Sequence, residues 1–253
     1  MINFHLGAPG IFADLHIILA EVAGSRVASD RYTRARQIFE SRVRPYLNCR
    51  SKDPSPLDVL REEAFAAIEA VSQDMPIVIS QPELFGTTAD LMRPGRALPA
   101  IERRFGRLCE VFEGMAWTVH LVITNQIDAI WQVEGVAPER KLQAIRETGL
   151  SWSNLVWRLR RVGRDCHLIV WDFERPDVIA PFLIESLMLV GRGELDGSIY
   201  RRITECHSKP KLDLIGFCSA DDVSSIERLD ELYDTDLEKI ASMKGVTLMR
   251  VEE

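Results

Sequence analysis

At 253 residues, with 46% apolar and 27% charged side chains, the chain has the composition of a folded globular protein large enough for a full core. Its formal net charge of −7 argues against a broad nucleic-acid surface, which needs clustered Lys and Arg. No apolar run reaches the roughly 18 residues that span a bilayer, and no signal-peptide pattern opens the chain, so a cytoplasmic protein without membrane insertion is expected.

The chain opens with a short strand, Ile2 to Leu6, and a turn, Gly7-Ala8-Pro9-Gly10. From Ile11 the apolar residues Ile11, Leu15, Ile18, Leu19 and Val22 fall on one stripe of an amphipathic helix. Strand, glycine turn and helix together aim backbone N–H groups and a helix N-terminus at one point, which is how α/β proteins hold anions. Arg26-Val27-Ala28 reads as a short strand, Asp30 as the cap of a helix that Pro45 stops, and Leu57 to Val71 as a further helix. Ile77-Val78-Ile79 is a continuous β-branched run, as in a strand buried on both faces. Gln81 to Arg96 reads as a long loop, a length associated with function or mobility.

A helix over Ala97 to Phe112 leads into the buried-type strand Trp117 to Ile123, after which Asn125 caps a helix through Trp131. Pro138 to Thr148 is helical in pattern and Gly149 stops it. Ser151 caps the helix carrying Trp152, Leu155, Val156 and Leu159. Cys166 to Trp171 is the next strand, and Asp177 to Val190 an apolar helix with Pro181 in its first turn. Residues 191–216 are the least regular stretch. Val223, Ile226, Leu229, Tyr233, Leu237 and Ile240 form the stripe of the last helix, and Val246 to Met249 a closing strand. Alternating strands and helices predict a single α/β domain over 1–253, three-layered, with a mainly parallel sheet and helices on both faces.

Several motifs fail on their own chemistry. Counted from Gly7, the Gly-Lys-Ser/Thr end of a nucleoside-triphosphate P-loop is Phe12-Ala13-Asp14, so the phosphate-binding lysine and the magnesium-binding hydroxyl are missing. Gly191-Arg192-Gly193 with Gly197 follows a helix, not a strand, and reads as a turn-rich loop. Cys166-His167 and Cys206-His207 are chain neighbours, which on a strand point to opposite faces, so no metal is expected. The five cysteines are scattered without a CxxC pair and read as reduced thiols. Arg158, Arg160, Arg161 and Arg164 read as a solvated helix face.

The order of these elements resembles the sulfotransferase-like group of P-loop-fold proteins, particularly bacterial members of about this size. Ile2 to Leu19 stands where such proteins carry a strand and Pro-Lys-x-Gly-Thr-Thr, the loop for the 5′-phosphosulfate of the donor 3′-phosphoadenosine 5′-phosphosulfate (PAPS). Ile79 to Gly86 is similar to their strand-end Ser-x-Glu segment, and Val119 to Gln132 to the unit whose arginine and serine bind the 3′-phosphate. Trp152 to Phe173 and Leu229 to Leu248 are similar to their later helix–strand units.

The resemblance places donor contacts at Gly7, Ala8, Pro9, Gly10, Ile11 and Thr124; an active enzyme would use as general base Glu83 or His5, a strand residue near the loop that by alternation is more often packed. The grips themselves differ. Gly10-Ile11-Phe12-Ala13-Asp14 replaces Lys-x-Gly-Thr-Thr, Thr124 stands at the arginine position, and Pro82 takes the usual glutamate position with Glu83 after it. Sulfuryl transfer depends on stabilising a polyanionic leaving group. The expectation is therefore a non-catalytic or repurposed protein without a cofactor that keeps the fold for binding a small molecule or a protein partner. The alternative is an active PAPS-dependent sulfotransferase acting on a hydroxyl acceptor, with charges supplied by Arg93 or Arg96 and the long loop closing over the site.

Overall fold

The computed structural model describes residues 2–7, 38–48, 57–71, 77–80, 86–95, 97–131, 133, 135–188 and 219–251. The turn residues Ala8 to Gly10, the first helix from Ile11, the short strand at 26–28, Glu83, Arg96 and the segment 191–216 lie outside the described residues.

Five strands form one sheet: β1 (Ile2–Gly7), β2 (Ile77–Ser80), β3 (Trp117–Ile123), β4 (His167–Asp172) and β5 (Val246–Met249), in the order β2-β1-β3-β4-β5. Every pairing in it is parallel. The β-branched runs explain the placement of the inner strands: Val119, Val122 and Ile123 in β3 and Leu168 and Val170 in β4 are fully buried. The chain leaves β1 toward β2 on one side and returns past β1 to β3 on the other. In parallel sheets ligands gather outside the carboxyl ends of the strands, at such a reversal. Register puts Gly7 opposite Val122, so the end of β1 and the turn after β3 share that edge.

The helices are α1 (Arg44–Asn48, continuing a wider turn over Phe39–Val43), α2 (Leu57–Val71), α3 (Thr88–Leu91), α4 (Ile101–Val111), α5 (Gln126–Trp131), α6 (Pro138–Glu147), α7 (Trp152–Val162), α8 (Pro176–Met188) and α9 (Ala220–Ala241). On α4, Ile101, Phe105, Leu108 and Val111 recur at helical spacing and are fully buried. Phe105 meets Trp117 of β3 edge-on with ring centres 5.9 Å apart. α7 contributes Trp152, Leu155, Val156 and Leu159, and α9 contributes Leu229, Tyr233, Leu237 and Ile240. α4, α7 and α9 pack side by side, and α9 also rests on β5. Gly163 lets α4 and α7 approach: a Cβ there would stand 2.4 Å from Phe105 Cε1.

Five expectations are corrected by this packing. Arg158 is buried, not on a solvated face. Its guanidinium forks onto Glu102 (Nε to Oε1 2.8 Å, Nη2 to Oε2 2.6 Å) and also donates to the carbonyls of Ala97 and Leu98. The helix expected from Ala97 begins at Ile101 instead, because Leu98 sits at φ 50° in the left-handed region. Within the expected long loop, α3 is a short turn of helix, and just after it the carbonyls of Ala97 and Leu98 are pinned by Arg158. Finally, α8 starts at Pro176, which puts Pro181 inside the helix, and Val223 at the head of α9 is exposed while Leu229 is buried.

Candidate functional site at the carboxyl edge of the sheet

β3 ends at Ile123 and turns into α5 through Thr124 and Asn125, both buried. Asn125 caps α5 as its residue type predicts: Oδ1 accepts from Ile127 N at 2.9 Å. Its Nδ2 donates to Asp230 Oδ1 of α9 at 2.6 Å. The Thr124 hydroxyl donates to Glu174 Oε1 at 3.0 Å, and the Asn125 N–H donates to the same oxygen at 2.7 Å. A carboxylate from the turn after β4 therefore already occupies the hydroxyl and the amide that this turn offers to an anion.

The turn after β4 is polar because the apolar strand stops at Asp172. Asp172 is more than nine-tenths buried, at 8% exposure. Its Oδ1 accepts from the Tyr233 hydroxyl at 2.6 Å and from Glu174 N at 3.2 Å. Burial, and then the neighbouring Asp172 charge, push the Tyr233 hydroxyl far up, so it stays a proton donor. Arg250, the residue after β5, places Nε 3.8 Å from Asp172 Oδ2.

Between these strand ends and α9 lies a cavity of about 580 Å³ lined by Asn125, Asp172, Glu174, Arg175, Asp230, Tyr233, Asp234, Leu237, Arg250 and Val251. That volume suits a small ligand. Next to it, the N-terminus of α7 is filled from within. Asp236 of α9, fully buried, accepts from the hydroxyls of Ser151 (2.8 Å) and Ser153 (2.6 Å), from Trp152 N (2.6 Å) and from Gln126 Nε2 (3.1 Å). Ser151 itself caps α7 by accepting from Asn154 N, as expected from the sequence.

Of the residues the sequence singled out, Thr124 lies against this cavity through Glu174, and Gly7 ends β1 at the same edge. His5 lies on β1 in register with Ser80 of β2 and His120 of β3. His120 is buried, accepts from Trp171 Nε1 at Nδ1 (3.1 Å) and stacks on that ring. Burial, and secondarily the charge of His167, lower its pKa to about 4. Ala8, Pro9, Gly10, Ile11 and Glu83 lie outside the described residues.

Sequence reasoning missed Asp172, Glu174, Asp230, Tyr233 and Arg250. The available signal was the switch from Leu168-Ile169-Val170-Trp171 to Asp172-Phe173-Glu174-Arg175-Pro176, a strand ending in charge. Among the described residues no group of three His, Cys, Asp or Glu side chains could hold a metal ion. Among them, too, no helix is long and apolar enough to cross a membrane. No family model, curated protein or solved structure matches the chain.

Proposed function

We propose that this chain is a three-layer, sulfotransferase-like α/β protein of the cytoplasm whose donor site has lost its hold on PAPS and which serves as a non-catalytic binding protein. One observation carries the reading: the Glu174 carboxylate stands against the Thr124 hydroxyl and the Asn125 amide. In an active member of the family resembled, a cation at the Thr124 position would meet the 3′-phosphate. Here the incoming phosphate would meet a carboxylate already holding the local donors, and like charge repels it. The sequence adds the loss of Lys and both hydroxyls after Pro9. Each missing charged hydrogen bond is worth about 1.5–3 kcal/mol, so several together weaken donor binding by orders of magnitude.

The test is a calorimetric or thermal-shift titration with 3′-phosphoadenosine 5′-phosphate (PAP), the product nucleotide. No response is expected with PAP at about 1 mM, a concentration that reveals even weak binding. Micromolar affinity would overturn the reading and restore the active sulfotransferase, with His5 or Glu83 as its base.

A further inference from the structure

We infer that the cavity at the carboxyl ends of β3, β4 and β5 binds a small organic amine, whose protonated nitrogen is received by Asp172 Oδ2. Three independent features support this. The first is a carboxylate oxygen held only by a long ion pair. A carboxylate offers about four lone-pair sites. Asp172 Oδ1 takes the Tyr233 hydroxyl and the Glu174 amide, whereas the charge nearest Oδ2, Arg250 Nε, stands at 3.8 Å, beyond hydrogen-bond reach. On a residue only 8% exposed that lines the cavity, this oxygen is left with a long ion pair and has room for a closer donor from a ligand.

Charge is the second. The lining sets the carboxylates of Asp172, Glu174, Asp230 and Asp234 against the guanidiniums of Arg175 and Arg250. The excess of negative charge in a concave site concentrates cations and disfavours phosphates and sulfates. Arg250 is half-exposed and can swing into solvent as an ammonium takes its place.

The third is shape. Leu237, Val251 and the ring of Tyr233 give the cavity apolar wall as well as charge. A bare metal ion would leave that wall unused, whereas an aliphatic chain carrying an amine would cover it. The Tyr233–Asp172 bond fixes the receiving carboxylate in place before any ligand arrives, which lowers the entropy lost on binding.

This inference rests on the reading of the edge as a binding site and names its ligand class, yet the two fail separately. PAP tests the lost donor site, and amines test the cavity. The probes are putrescine and agmatine, with 1,4-butanediol as the uncharged counterpart of putrescine, titrated into the full chain by calorimetry and followed by NMR at Tyr233.

Putrescine or agmatine is expected to bind with Kd below about 1 mM while butanediol does not bind at about 10 mM. Asp172→Asn is expected to weaken amine binding by roughly tenfold or more, as loss of a buried charged partner does. Because that variant also disturbs Tyr233, Asp234→Asn provides a second reading from an exposed residue of the lining, with an expected weakening of about threefold. Absence of amine binding at about 10 mM, equal binding of butanediol, or unchanged affinity in both variants would overturn the inference.

Discussion

Asp236 Oδ2 receives the backbone N–H of Trp152 at 2.6 Å, joining α9 to the first turn of α7 across 84 positions of sequence. The same carboxylate holds Ser151, Ser153 and Gln126, so a buried negative charge is satisfied by four donors at a helix N-terminus.

Asp236→Ala strands those donors in the interior. An expected loss of about 3–5 kcal/mol follows from several unpaired buried groups, and for a chain of this size it lowers Tm by about 10 °C. Asp236→Asn, which keeps an acceptor of the same shape, is expected to lose about half as much. Urea and thermal unfolding check both; a Tm within about 2 °C of the parent for Asp236→Ala would rule out this role.

Arg158 ties α7 to the first turn of α4 through Glu102 and to the segment before α4 through the carbonyls of Ala97 and Leu98. Arg158→Lys keeps the charge but not the fork, and an expected loss of about 2 kcal/mol reflects at least two carbonyl or carboxylate contacts left unmade. Because Leu98 is held at φ 50°, the release is local, and limited proteolysis should cut within 86–98 faster in the variant than in the parent. Identical cleavage rates would show that the segment is held by other contacts.

His120 makes stability depend on pH. Its pKa in the folded chain is about 4, below the ordinary 6.5, so the unfolded chain binds a proton across that window while the folded chain does not. The contribution is complete above pH 6.5 and is lost as pH falls toward 4, on the order of 3 kcal/mol in all. His120→Gln, which retains an acceptor for Trp171 Nε1, is expected to flatten the urea midpoint between pH 6.5 and 4.5. Asp222 acts lower on the scale. Its bond to Arg146, and then those to Ser219, hold its carboxyl well below the usual range, so its contribution is lost only under more acid conditions. An unchanged slope in His120→Gln would remove His120 as the cause.

Much of the fold was legible because it is local. The β-branched runs at 77–79 and 117–123 mark strands, the spacing on Leu229, Tyr233, Leu237 and Ile240 marks a buried helix face, and Ser151 and Asn125 mark helix starts through side chains that reach only two or three residues on. Thr124, which the resemblance singled out, lies at the end of β3 against Glu174. Arg158 shows the limit: helix spacing and a run of arginines suggest solvent, and only the arrival of Glu102 and two carbonyls from another segment makes burial of its charge tolerable.

By itself the amino-acid order determined which stretches among the described residues become strands and helices, since periodicity and residue chemistry are properties of short windows. Only the tertiary structure decided which side chains meet at the carboxyl edge of the sheet. Glu174 meets Thr124 from 50 positions away and Tyr233 meets Asp172 from 61, because parallel strand register and helix packing bring those residues to one edge. No local pattern encodes that meeting, and the electrostatic character of the cavity depends on it.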